Sequence, residues 1–169
     1  MAVPARGYTS MVAAVAVSVA QDFWEIQPAD DKPIEMMGAE FAQSSDLGDA
    51  AEEVLRVAIR RGNTTSGAGG SAPVEAVVNV HDAAVAVVTE ANNTTKATTA
   101  GATHYNSGWN IRIAPTPFWF PEHAQHLATQ AEVTMCHELV AAPTDAVTID
   151  QTLWVKEYTF IPFILGLWG

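Results

Sequence analysis

Apolar and polar side chains alternate with period two along most of this chain, the pattern of strands that lay one face on a core. In "EEVLRVAIRR", Leu55, Val57 and Ile59 fall on one face, with Val54, Arg56, Ala58 and Arg60 on the other. "AEVTMCHELV" sets Val133, Met135, His137 and Leu139 against Thr134, Cys136, Glu138 and Val140. "WNIRIAP" alternates through Trp109, Ile111 and Ile113. In "VTIDQTLWVKEY", Val147 and Ile149 precede a turn signal at Asp150-Gln151, after which Leu153 and Val155 continue. "KPIEMMGAEFAQ" starts in one phase at Ile34 and Met36 and continues in the other at Met37, Ala39 and Phe41, as a β-bulge beside Gly38 would produce.

Turn chemistry punctuates these runs, in "QPADDKP" and "AAPTDA". "RGNTTSGAGGSAP", residues 61–73, and "NNTTKATTAGATHYNSG", residues 92–108, read as long polar loops. Two short helix candidates stand out, "DLGDAAEEVL" from Asp46 and "PEHAQHLATQ" from Pro121. The expected fold is all-β: an antiparallel β-sandwich, jelly-roll-like, with long loops and extended termini. The expected division is an N-terminal arm at 1–10, a sandwich at 11–158 and an apolar tail at 159–169.

Composition narrows the function. With 8 basic against 19 acidic residues the net charge is −11, and Arg56, Arg60 and Arg61, the only basic cluster, have Glu52 and Glu53 beside them. That argues against direct contact with nucleic acid. Cys136 is the single cysteine, so no intramolecular disulfide and no thiolate cluster is expected. No stretch approaches the roughly 20 apolar residues of a membrane-spanning helix.

Candidate chemistry is sparse. "HELVA" starts like a helical zinc-protease motif, but Ala141 stands where the second histidine belongs, and the segment alternates as a strand. His123 and His126 would share one face of a helix, but no second ligand cluster accompanies them, and a solvated face is the plainer reading. His81, at a strand end before Asp82, and His104, inside the polar loop, complete no motif in the sequence. There is no G-x-S-x-G elbow, Cys136 lies in mid-strand, and "GAGGSAP" lacks a phosphate-loop lysine. Asn63, Asn92 and Asn93 match the glycosylation pattern, which is cheap in a Thr-rich loop. No catalytic, cofactor or metal residue is assigned, and no enzyme is expected.

The informative residues are apolar. "PTPFWFPEH" packs Phe118, Trp119 and Phe120 between prolines, as a core cap or an anchor for a neighbour. From Tyr158 to Gly169 there is no charged side chain, and Phe160, Ile161, Phe163, Ile164, Leu165, Leu167 and Trp168 are all large and apolar. Such an end either folds back as a last strand or docks on another subunit, with Trp168 as anchor. Partner contacts are therefore expected at this tail and at Phe118–Phe120.

Taken in order, "AAEEVLRVAIRRGNTTSGAGGSAP", "VTEANNTTKA", "WNIRI" with "FWFPEH", and "LVAAPTDAVTIDQTLWVKEY" resemble a family of small virion proteins encoded in tailed-phage structural gene clusters. The resemblance spans Val15 to Tyr158 and stops before the tail. It implies a cement or decoration protein on the capsid exterior, bound to the major capsid protein and to itself, with a trimer the expected oligomer. It carries no catalytic residues, no cofactor, no nucleic acid and no membrane. The alternatives are another virion part, such as a head fibre base, neck or tail component, or a carbohydrate-binding or cupin-like domain.

"MVAAVAVSVAQDFWEI", Met11 to Ile26, bears on the compartment. Arg6 and Ser18-Val19-Ala20 resemble a secretory signal and its cleavage site. Val15, Val17 and Val19, alternating with Ala14, Ala16 and Ser18, favour a first strand instead, with Phe23, Trp24 and Ile26 in a second strand or its continuation. A chain made in a host cytoplasm and not secreted is the expectation.

Overall fold

The computed structural model describes residues 5–29, 32–44, 53–98, 102–113, 116–121, 126–128 and 134–158. These hold β1 (Ala5–Val17), β2 (Asp22–Gln27), β3 (Ile34–Gln43), β4 (Val54–Asn63), β5 (Val74–Val77), β6 (Val88–Asn93), β7 (Ala102–Asn110), β8 (Thr116–Trp119), β9 (His126–Ala128), β10 (Thr134–Leu139) and β11 (Val147–Tyr158). They form two antiparallel sheets, an all-β sandwich as expected. Sheet A is ordered β5-β1-β11-β3-β8, with β9 also pairing β3; sheet B is ordered β6-β2-β10-β4-β7.

The alternation read from the sequence decides which side chains enter the core. Leu55, Val57 and Ile59 of β4, Met135, His137 and Leu139 of β10, and Ile149, Leu153 and Val155 of β11 all turn inward. Phe41 is a central contact, with its ring centroid 5.0 Å from that of Phe23, 4.9 Å from His137 and 6.0 Å from Trp109. His137 is thus a core side chain. At the expected phase change in β3, Trp154 pairs with Gly38 but Val155 pairs with Met36, so Met37 is the extra residue of a bulge. The bulge lets Ile34 and Met36 before it, and Ala39 and Phe41 after it, all face inward.

Several expectations need correction. β1 starts at Ala5, and Tyr8 and Ser10 are fully buried, so the sandwich takes in most of the expected arm. Of the two placements expected for Phe23, Trp24 and Ile26, the separate second strand holds, as β2. β11 runs without a turn through Asp150-Gln151, because β1 and β3 pair with it on both sides. β7 ends at Asn110, and Ile113, expected inside, is 51% exposed in the following turn.

The second polar loop contains β7 itself, held by pairing with β4. The candidate helix from Pro121 is extended at His126–Ala128, where β9 pairs with β3. Of the other helix candidate, Val54 and Leu55 belong to β4; its residues 46–52 lie outside the described residues, as do His123 and the tail 159–169.

Candidate functional site

The strands β2 and β10 of sheet B are buried on both faces, and the second cover is made by the two loops. Residues 64–71 run antiparallel to 91–98, with bridges at Thr65–Thr98, Ala68–Thr95 and Ser71–Ala91. Gly70 permits the close approach: a Cβ there would stand 2.1 Å from Asn93 Oδ1 and 2.5 Å from Ala91 O. The segment expected as a free loop is therefore a two-stranded lid. Asn63, Asn92 and Asn93 are buried beneath or within it, which removes them as glycosylation acceptors.

Under the lid lies a floor of charged side chains. β2 and β10 change register at Phe23: His137 pairs with Trp24, while Glu138 pairs with Asp22. In a regular strand Asp22 and Glu25, three apart, would point to opposite faces; the bulge puts both on the outer face. Cys136, opposite Glu25, and Glu138, opposite Asp22, share that face. Asp22, Glu25, Cys136 and Glu138 are each at most 3% exposed.

The lid is pinned to this floor by its backbone. Ala97 N donates to Asp22 Oδ2 at 2.6 Å, and Gly67 N donates to Glu25 Oε2 at 2.8 Å. Asn93 Nδ2 also donates to Glu25 Oε2, at 2.8 Å. Glu138 takes both nearby cations, Lys96 at 2.7 Å and Arg60 at 3.2 Å. Desolvation pushes the Asp22 carboxyl up to about 6, with the Glu138 and Glu25 charges adding to the rise while the Ala97 amide and Lys96 oppose it. Burial, then the charges of Asp22 and Glu25, push the Cys136 thiol well above its ordinary range, so it is an inert protonated thiol in the absence of a cation.

The outward surface differs in character. Across sheet A, Gly38 stands between Trp154 and Trp119 in the strand register, and their ring centroids are 4.5 Å apart above it. A Cβ on Gly38 would meet Phe118 O at 2.5 Å, so only glycine lets β8 close on β3 here. Trp119 is 56% exposed, whereas Phe118 and Phe120 turn towards Tyr105, with centroids at 6.4 and 5.1 Å. Of Phe118, Trp119 and Phe120, the first and last thus pack as core caps, and Trp119 presents a broad surface.

Among the described residues, the largest run of exposed apolar side chains was not singled out in the sequence. Between β5 and the start of β6, Val74, Val78, Val80 and Val88 are 67%, 68%, 83% and 58% exposed. β5 and β6 are the edge strands of their sheets, so this run follows one edge of the sandwich. Its one sequence signal was the valine-rich composition of residues 74–88.

Among the described residues, three surface depressions are lined respectively by Gln27, Asn63, Thr64, Ser66 and Thr134; by Glu75, Val77, Ala84 and Val85; and by Val54, Arg56, Asn106, Ser107 and Gly108. None of the three brings together the two titratable groups that acid–base catalysis requires. His81 and His104 are exposed, one in a turn and one on β7. No protein-family model, no curated protein and no solved structure matches this chain.

Proposed function

We propose that this protein is a capsid cement protein of a tailed phage, bound to the outer face of the major capsid protein lattice and bridging adjacent subunits. The observation that carries the reading is the edge of exposed valines from Val74 to Val88. Apolar side chains in such number on one edge lose most by remaining in water, and burial against a neighbour recovers about 25 cal/mol for each Å² covered. Trp119 adds a second contact point on the outer face of sheet A. The acidic surface keeps the free protein soluble before assembly.

The strand order also supports the jelly-roll reading of the sandwich. Without β5, β6 and the short β9, the order β1-β11-β3-β8 lies opposite β2-β10-β4-β7. Consecutive strands thereby alternate between sheets, save that β4 and β7 are neighbours in sheet B, in the manner of an eight-stranded double Greek key. On this reading, β5 and β6 are an insertion that widens both sheets along the valine edge.

Bridging acts by mass action: a protein that binds only the assembled lattice stabilises that lattice. The experiment is to add purified protein to particles of the encoding phage that lack it, then follow DNA release on heating. Cement raises the release temperature and binds at a copy number on the order of hundreds, whereas a neck or tail part saturates at about a dozen. Particles equally heat-stable with and without it would end the cement reading.

A further inference from the structure

The floor of sheet B holds more negative charge than its cations neutralise. Lys96 and Arg60 both pair with Glu138, and among the described residues Asp22 and Glu25 take part in no ion pair. Each of these two carboxylates spends one oxygen on a lid amide. Glu25 Oε1 is then left buried with no hydrogen-bond partner, which is costly for an ionised group. Ligand atoms of Asp22, Glu25 and Cys136 lie within 4.8 Å of one another. Asn63 adjoins the same sulfur, with Nδ2 2.8 Å from Sγ, and its own Oδ1 is buried and unpartnered.

We propose that Asp22, Glu25 and Cys136 form a structural site for a thiophilic divalent cation of the zinc class, enclosed between sheet B and its two-loop lid. The donor set selects the ion: a thiolate beside carboxylate oxygens suits zinc, whereas calcium and magnesium take oxygen ligands alone. The cation supplies the positive charge that Asp22 and Glu25 lack and gives Glu25 Oε1 a partner. The amides of Ala97 and Gly67 and the side chain of Asn93 hold the carboxylates in place, as outer hydrogen bonds do around metal sites.

Binding converts the Cys136 thiol to a bound thiolate and releases its proton to solvent, so affinity rises with pH. Because the ligands come from β2 and β10 while the lid closes over them, the ion ties both loops to the sheet. The site is structural, since the lid covers it. This inference is independent of the cement reading.

The test uses the full chain, stripped with a chelator and titrated with cobalt(II) and with zinc chloride. One equivalent of cobalt should produce a thiolate-to-metal charge-transfer absorption, and zinc should displace it and raise the melting temperature. Cys136→Ser should abolish the absorption. Glu25→Gln, which keeps an acceptor for Gly67 N, should stay folded and bind zinc at least tenfold more weakly, while His126→Ala should leave binding unchanged. Wild-type protein without absorption or melting shift would overturn the proposal. So would binding that survives both Cys136→Ser and Glu25→Gln, or that disappears with His126→Ala.

Discussion

Near the end of sheet A, Glu157 is 1% exposed and accepts Ala86 N at 2.8 Å and Val87 N at 3.1 Å, which docks the segment leading into β6. Under the lid of sheet B, Asp22 and Glu25 dock the loops in the same way, through Ala97 N and Gly67 N. The difference lies in the counter-charge. Arg6 Nε reaches Glu157 Oε1 at 2.7 Å, and Arg6 also donates to Ala83 O at 2.9 Å, so guanidinium, carboxylate and loop form one closed network. Asp22 and Glu25 have the amides but, among the described residues, no cation of their own. Buried carboxylates fasten irregular segments in both places; of the two, Glu157 is the one for which the described residues supply the neutralising charge.

The sharpest way to break the contrast is to damage the completed anchor. Glu157→Ala leaves Arg6 without its partner and two loop amides without an acceptor, and should cost about 3–5 kcal/mol in denaturant unfolding. Glu157→Gln keeps an acceptor and should cost less. A loss below about 1 kcal/mol for the alanine variant would remove Glu157 as an anchor.

The incomplete anchor should respond with the opposite sign. Its folded-state pKa of about 6 stands above the ordinary 3.8, so the folded protein holds this proton more tightly than the unfolded chain. The stability Asp22 contributes is complete below 3.8 and is lost as pH rises through about 6, an effect of about 2–3 kcal/mol in the cation-free protein. Asp22→Asn keeps an acceptor for Ala97 N and removes the charge. It should therefore raise stability at pH 8 and flatten the profile between pH 4 and 7. A variant less stable than wild type at pH 8, with chelator present, would contradict this.

The smallest effect belongs to a solvent-facing version of the same device. Asp150 Oδ1 accepts Ala14 N at 2.6 Å, where Ala14 has φ 54° at the bulge of β1. Asp150→Ala should cost about 1 kcal/mol, because water replaces the lost acceptor. Ala14→Gly should gain about 1 kcal/mol by relieving the left-handed backbone. Thermal melts of the two variants should move in opposite directions.

How much of this was legible follows from what each feature depends on. Strand periodicity and the Gly38 bulge were readable because both are local consequences of which residues face the core. β7 was not, since Ala102–Asn110 is polar and mostly exposed, and only its pairing with β4 makes it a strand. Cys136 and Glu138 were readable as the outward face of β10, but their burial depends on a lid formed by residues distant in the chain. Asp22 and Glu25 were hidden more thoroughly, because regular alternation separates residues three apart and the bulge at Phe23 reunites them. The valine edge was invisible for the reverse reason: valine reads as core until the strand order places it outside.

The central claim is that the described residues leave the floor of sheet B short of positive charge. A carbon-13 NMR titration of the Asp22 carboxyl, in full-length protein kept free of divalent cations, tests it most directly. The account predicts a midpoint at about 6. A midpoint at or below the ordinary 3.8 would mean that the site is already neutralised, and would contradict it.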